Sequence, residues 1–266
     1  MPVITEIKEL SVPELLPYTN TSELALKNER GLFVAESPKV IRTALDAGHE
    51  PVSLLVSKKY ISGQAADIIS RCEGIPVYTA ESDVIEKLTG FKLTQGILSA
   101  MRRKPEPDIS SILSGAKRIA VLEDIMNQTN TGAIFRSAAA LGFDAVLLTD
   151  GCSDPLFRRS VRVSMGSVFL IPWCHIHGTS PEYVKAIKDS GFFTAAAALC
   201  EGSVSIDDKR LLSADRKAVF FGTENSGLRP ETIKACDLAV KIPMSKGVDS
   251  LNAAAASAVI FWALSH

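Results

Sequence analysis

The stretch RIAVLEDIMNQTNTGAIFRSAAALG, residues 118–142, decides how this chain is read. Arg118 to Leu122 is a short apolar run of strand length. A polar, glycine-containing segment follows it. From Asn130 the apolar residues return at helical spacing and run to Leu141, with Asn130 placed to cap that helix and Gly142 to end it. A buried strand feeding a helix through a polar turn is the repeating unit of an α/β fold. The same rhythm continues outward on the C-terminal side. Strands are expected at 145–149, 167–171, 193–199, 218–221 and 238–242. Helices are expected at 155–165, 181–189, 230–235 and 252–264. Strands separated by helices imply parallel pairing with right-handed crossovers.

On the N-terminal side the pattern is similar but smaller. Strands are expected at 32–35, 52–56, 76–78 and 96–101. Helices are expected from Pro38 to Leu45, from Gln64 to Cys72 and from Ser82 to Leu88. Between the two halves lies RRKPEPDISSILSG, residues 102–115, charged and broken by two prolines, which reads as a linker. The expected organisation is a small α/β domain over residues 1–104, a linker over 105–117, and a parallel-sheet α/β domain over 118–266.

Composition narrows the function classes. The chain has 266 residues, 46% of them hydrophobic and 22% charged, so it can bury a core without disulfide or metal staples. The longest apolar run, 251–264, is interrupted by Asn252 and Ser257 and is too short to span a bilayer, so no membrane association is expected. The N-terminus MPVITEIKEL carries acids and does not read as a signal peptide. Five scattered cysteines without a CxxC pair favour reduced thiols and a cytoplasmic location, and neither a disulfide framework nor a metal site is expected. The formal net charge of −1 lacks the basic excess common in nucleic-acid binders, so any such role must rest on local patches. Two exist, Arg102-Arg103-Lys104 and the group Arg158, Arg159 and Arg162. On charge alone each is a solvated face as readily as a binding surface.

Three segments carry more polar chemistry than a scaffold requires. The first is Asn127 to Arg136, between a strand and a helix, where open α/β sheets place their ligands. Arg136 sits on an otherwise small and apolar helix, so it either snorkels to water or pairs with an anion. The second is Gly222-Thr-Glu-Asn-Ser-Gly-Leu228, directly after a strand. Its two glycines permit a tight turn and close backbone approach to a ligand. Its spacing is neither the dinucleotide fingerprint nor a P-loop. The third is Ile242 to Asn252, leading into the last helix, with Ser250 as a candidate N-cap and Asn252 in the first turn. His175 and His177 form an isolated His-x-His, read as a polar loop. Cys152 and Cys200 lack a local base and read as small buried hydrophobes.

Taken in order, Asn-x-x-Asn-x-Gly-x-Ile-x-Arg, Gly-x-Glu-x-x-Gly-Leu, and Ile-Pro-Met with Ser-Leu-Asn before a small-residue helix resemble the three motifs of the SpoU/TrmH family of RNA methyltransferases. The resemblance covers roughly residues 118–264. Asp154-Pro155, Arg159, Arg162, Ser164 and Gly166 resemble the helix between its motifs. Phe33-Val-Ala-Glu36 and Gln95-Gly-Ile97 resemble its ribosomal-protein-like substrate-binding domain. The chain departs from the family where Asn127-Gln128 replaces the frequent Asp-Pro.

The resemblance implies a deep trefoil knot in the C-terminal domain, built from the loops at 199–203, 222–228 and 242–251. It implies S-adenosyl-L-methionine as cofactor, contacted at Leu199, Gly222, Ile242 and Leu251. It also implies methyl transfer to a ribose 2′-OH of rRNA or tRNA without a metal. Arg136 corresponds to the family's catalytic arginine. Asn130, Glu224, Ser250 and Asn252 correspond to the remaining polar catalytic positions. Arg159 and Arg162 are candidates for RNA binding, and the family's homodimer is expected. The alternative is a non-catalytic RNA-binding or ribosome-assembly protein that keeps the fold. A Rossmann-like oxidoreductase is disfavoured by the missing fingerprint.

Overall fold

Ile119, Ala120, Val121 and Leu122 are all fully buried, as are Ala145 to Leu148 and Ala218 to Phe220. Strands with both faces covered are the mark of a parallel sheet packed by helices on either side. A computed structural model of the chain, which describes residues 4–19, 22–247 and 250–266, has that architecture. The chain divides into two compact units, residues 1–105 with 156–169, and residues 106–155 with 170–266.

The first unit contains β1 (Ile4–Glu6), α1 (Glu23–Arg30), β2 (Leu32–Glu36), α2 (Pro38–Asp46), β3 (Pro51–Ser57), α3 (Ala66–Arg71), β4 (Val77–Ala80), α4 (Ser82–Thr89) and β5 (Ile97–Arg102). Its five-stranded sheet has the order β1-β4-β3-β5-β2. β5 runs antiparallel to both β2 and β3. The small α/β unit expected here therefore has a mixed sheet. After α4 the chain returns through a short loop and enters the sheet between β3 and β2. Tyr18 anchors the core from a turn of 3₁₀ helix: its buried hydroxyl lies 2.7 Å from Ser53 Oγ and accepts from the backbone N–H of Ala100.

The second unit begins earlier than expected. Within the segment 105–117, read as a linker, α5 (Ile109–Gly115) forms with Asp108 as its N-cap. Ile112 and Leu113 are buried in the core of the second unit. Then follow β6 (Arg118–Leu122), α6 (Gln128–Ala140) and β7 (Ala145–Thr149). The chain next supplies α7 (Arg158–Val163) to the first unit, where it packs on β2. It returns with β8 (Trp173–Ile176), α8 (Ser180–Asp189), β9 (Phe193–Ala197), β10 (Val204–Ser205), α9 (Lys209–Ser213), β11 (Lys217–Phe221), α10 (Pro230–Ala235), β12 (Leu238–Lys241) and α11 (Ala253–Ser265). The strand expected at 167–171 is instead a 3₁₀ turn at Ser167–Phe169, and the strand starts at Trp173. A short apolar run does not by itself distinguish the two.

The seven-stranded sheet has the order β10-β12-β9-β11-β6-β7-β8, and all its pairings are parallel. β6 leads on to β7 on one side, while its neighbour β11 leads on to β12 on the other. Connections that leave adjacent strands in opposite directions open a crevice at the carboxyl ends of those strands. Among the described residues no helix is long and apolar enough to cross a membrane.

Candidate active site at the carboxyl ends of β6 and β11

β6 ends in two acids. The backbone N–H of Glu123 extends the ladder to β11 by donating to the carbonyl of Phe221 at 2.8 Å. Its side chain is 1% exposed. That carboxylate accepts from the hydroxyls of Tyr183 and Thr232, and from the backbone N–H of Arg229 at 2.7 Å. A buried carboxylate needs such a set of donors to offset its lost hydration. Burial, together with the bond to Glu123, pushes the Tyr183 hydroxyl up to about 12. Asp124 stands at φ +57°, a conformation that favours glycine. It is held there from three directions: its N–H donates to Thr149 Oγ1, its Oδ1 accepts from that hydroxyl, and its Oδ2 accepts from Arg229 Nη2 at 2.5 Å. Strained backbone fixed by its surroundings in this way concentrates at functional sites.

The two acids thus tie the end of β6 to the far end of the loop after β11. That loop closes on itself through paired backbone bonds between Thr223 and Gly227, at 3.0 and 3.1 Å. A Cβ on Gly222 would lie 2.1 Å from the carbonyl carbon of Gly227, so a side chain at 222 would prevent the closure. Glu224 projects at the exposed tip of this loop.

α6 is capped by Asn127, whose Oδ1 accepts from the N–H groups of Thr129 and Asn130. The cap is therefore three residues earlier than expected, and Asn130 falls inside the first turn. Its side chain is freed from capping and is buried. A similar shift occurs at α11. Asn252 rather than Ser250 is the cap, its Oδ1 accepting from Ala254 N–H at 3.0 Å. The amide nitrogen of Asn252 donates to Asn130 Oδ1 at 3.2 Å and to Glu224 Oε1 at 3.3 Å. One side chain joins the three loops. The amide nitrogen of Asn130 is buried and has no partner among the described residues.

Beside this junction is a cleft of about 340 Å³. Leu199, Gly222, Ile242 and Leu251 line it, as do Ser250 and Glu224. Leu199 and Leu251 are exposed at its edge. Arg136 is not part of this group. It lies six residues after Asn130, which sets the two side chains about 120° apart around α6. It is exposed, and among the described residues no acid pairs with it.

Arg159 and Arg162 lie on α7 in the first unit, both exposed. Arg162 Nη1 is 3.4 Å from Glu36 Oε1, and the neighbouring Arg158 guanidinium stacks 3.8 Å above the ring of Phe91. His175 and His177 are each held by a separate carboxylate, Glu106 and Asp150, both at 2.8 Å. Burial pushes the thiols of Cys152, Cys174 and Cys236 up to about 11, 12 and 12, which makes them poor nucleophiles. Sequence reasoning missed Glu123, Asp124 and Arg229. The available signal was two adjacent acids directly after a buried apolar strand.

A loop-built cleft over the carboxyl ends of a parallel sheet, edged by amides and one carboxylate, defines an α/β enzyme domain. Comparison with known proteins specifies which. The family model of the SpoU rRNA methylases matches residues 117–262, and the chain belongs to that family. It is a methyltransferase of that kind. A protein of Mycobacterium bovis named as an uncharacterized tRNA/rRNA methyltransferase is 36% identical over 238 residues, covering 89% of this chain and 82% of the relative. The 23S rRNA (guanosine-2′-O-)-methyltransferase RlmB of Acinetobacter baylyi is 28% identical over 194 residues, 71% of this chain and 77% of the relative. The crystal structure of the AdoMet-bound rRNA methyltransferase from Sinorhizobium meliloti superposes with a TM-score of 0.83 over 98% of this chain and 97% of that one. At 24% identity that likeness is one of fold.

Proposed function

We propose that the protein transfers a methyl group from S-adenosylmethionine to a ribose 2′-OH of an rRNA or tRNA. The observation that carries this reading is the single amide of Asn252 shared between Asn130 and Glu224 at the edge of the cleft. A scaffold has no need to bring three separate loops to one polar point.

The cleft suits the cofactor. Its volume falls within the range of small-molecule sites. Leu199, Ile242 and Leu251 offer apolar walls to a flat base, and the carboxylate of Glu224 offers countercharge to a sulfonium. When bound, the cofactor supplies a methyl group on a sulfonium, which is already a good leaving group. The residues then have to orient an oxygen and manage one proton. The amide nitrogen of Asn130, without a partner among the described residues, and the Asn252 amide orient the ribose, and Ser250 adds a hydroxyl at the cleft. Positioning of this kind contributes much of the barrier reduction in a transfer reaction.

Arg136 binds the adjacent phosphate and stabilises charge developing on the attacking oxygen. A guanidinium does not give up its proton, so the hydroxyl proton leaves through the phosphate or water. The exposed position of Arg136 fits a homodimer whose second copy completes the site. Val259 and Trp262, exposed on α11, suit such an interface. Arg159 and Arg162 contribute to RNA binding. The trefoil knot belongs to the same reading, supported by the convergence of residues from 197–199, 221–228, 240–244 and 250–251 on one cleft.

Calorimetric titration with S-adenosylmethionine and S-adenosylhomocysteine tests the cofactor half. One site per chain is expected for each. No binding at millimolar cofactor, with or without total RNA, contradicts it.

A further inference from the structure

A second cleft, of about 300 Å³, lies in the crevice between β6 and β11. Its walls are residues 124–127 and residues 223–225. The second wall is also a wall of the larger cleft, so the two spaces are separated by the thickness of one loop, and Glu224 borders both. The crevice is the point where the sheet's connections part, the usual ligand position in an open α/β sheet.

The chemistry of the small cleft selects its occupant. Met126 is 75% exposed, although it is a large apolar side chain beside a polar turn. A flexible thioether of this kind packs well against a flat ring. Asn225 makes no hydrogen bond among the described residues, so its amide offers both a donor and an acceptor. The charged groups bordering the space, Asp124 and Glu224, are both acids, and Asp124 is already paired with Arg229. A phosphate would meet uncompensated negative charge there. An uncharged heterocycle bearing N–H donors would not.

We propose that the base of the nucleotide undergoing methylation lodges in this cleft, against Met126 and hydrogen-bonded by Asn225. Its ribose is thereby delivered across the 223–225 loop to the junction of Asn130, Asn252 and Glu224. Specific recognition of RNA commonly takes an unstacked base and reads its edges in this way. The inference rests on the methyl-transfer reading above and adds the site that holds the acceptor base.

The test uses the full chain and RNA from a strain that lacks the gene. Methyl-transfer kinetics and calorimetric titration with S-adenosylmethionine are run for wild type, Met126→Ala, Met126→Leu and Asn225→Ala. Both side chains are exposed, so folding is not at stake, and thermal melting verifies it. Met126→Ala and Asn225→Ala are expected to raise KM for RNA on the order of ten-fold each. Met126→Leu is expected to stay within about two-fold of wild type. The cofactor Kd is expected to be the same in wild type and both Met126 variants, since Met126 borders only the small cleft, whereas Asn225 borders both. An unchanged KM in both alanine variants overturns the proposal. So does a parallel loss of cofactor affinity in Met126→Ala, which would make the small cleft part of the cofactor site. A wild type that transfers no methyl to any RNA is a different result: it overturns the reading on which the proposal rests.

Discussion

The amide nitrogen of Asn252 lies 3.3 Å from the carboxylate of Glu224, although 28 residues separate them in the chain. The same nitrogen reaches Asn130, and the oxygen of that amide caps α11. Asn252 therefore has two separable duties, and two substitutions divide them. Asn252→Asp keeps an N-cap acceptor but cannot donate, and it places a second carboxylate beside Glu224. It should fold with near wild-type stability and lose most methyl transfer. Asn252→Ala should lose activity and also about 1 kcal/mol of stability with the cap. Denaturant unfolding beside a transfer assay separates the two. Full activity in Asn252→Asp would remove the junction from the mechanism.

Arg136 has no partner acid among the described residues and faces solvent, so its removal should leave stability within about 0.5 kcal/mol of wild type. Transfer should fall roughly a hundred-fold or more in Arg136→Ala, because charge stabilisation at the reacting oxygen is lost. Arg136→Lys should recover little, since a point charge does not reproduce the planar fork. Cofactor binding should be unchanged in both. Wild-type turnover by Arg136→Ala would show that the arginine has no part in the chemistry.

Glu123 is expected to matter to folding and, through the loop it ties down, to cofactor binding. Glu123→Ala leaves the Tyr183 and Thr232 hydroxyls and the Arg229 N–H without their acceptor. That should cost about 3 kcal/mol or more. Glu123→Gln retains one acceptor oxygen and should cost less. Urea unfolding of the pair provides the comparison, and equal stability of wild type and Glu123→Ala would contradict the assignment.

Tyr183 gives stability a dependence on alkaline pH. Its hydroxyl is pushed up to about 12 in the folded chain, against an ordinary 10. The group favours the folded state fully below pH 10. The contribution is lost as pH rises from 10 through 12, because the unfolded chain ionises first. Tyr183→Phe should lack this component, so its stability should decline less steeply over that interval. An identical decline in both proteins would mean that the hydroxyl ionises freely in the native state.

Much of the second unit was legible because its strands are buried on both faces and leave uninterrupted apolar runs, as at Ile119 to Leu122. The polar residues after β6 and β11 also stood out against those runs. What failed depended on distant partners. Pro105 and Pro107 masked the apolar spacing of Ile109, Ile112 and Leu113, which is helical because a core lies beside it. The antiparallel entry of β5 is a matter of sheet order, and no local pattern encodes it. Asn127 and Asn130 are both good caps by residue type. The choice between them follows from Asn252, 122 residues away from Asn130, which gives the second amide a different partner. The assignment of 156–169 to the first unit likewise depends on long-range contacts, such as the pairing of Arg162 with Glu36.

The central claim is transfer to a ribose oxygen, and alkali tests it directly. RNA labelled by the protein from methyl-labelled S-adenosylmethionine is hydrolysed in base. A 2′-O-methyl group blocks attack of that oxygen on the neighbouring phosphodiester, so the label should survive in alkali-resistant dinucleotides. After incubation with Asn252→Asp most of that label should be lost. Label recovered in single nucleotides would place the methyl group on a base and contradict the account.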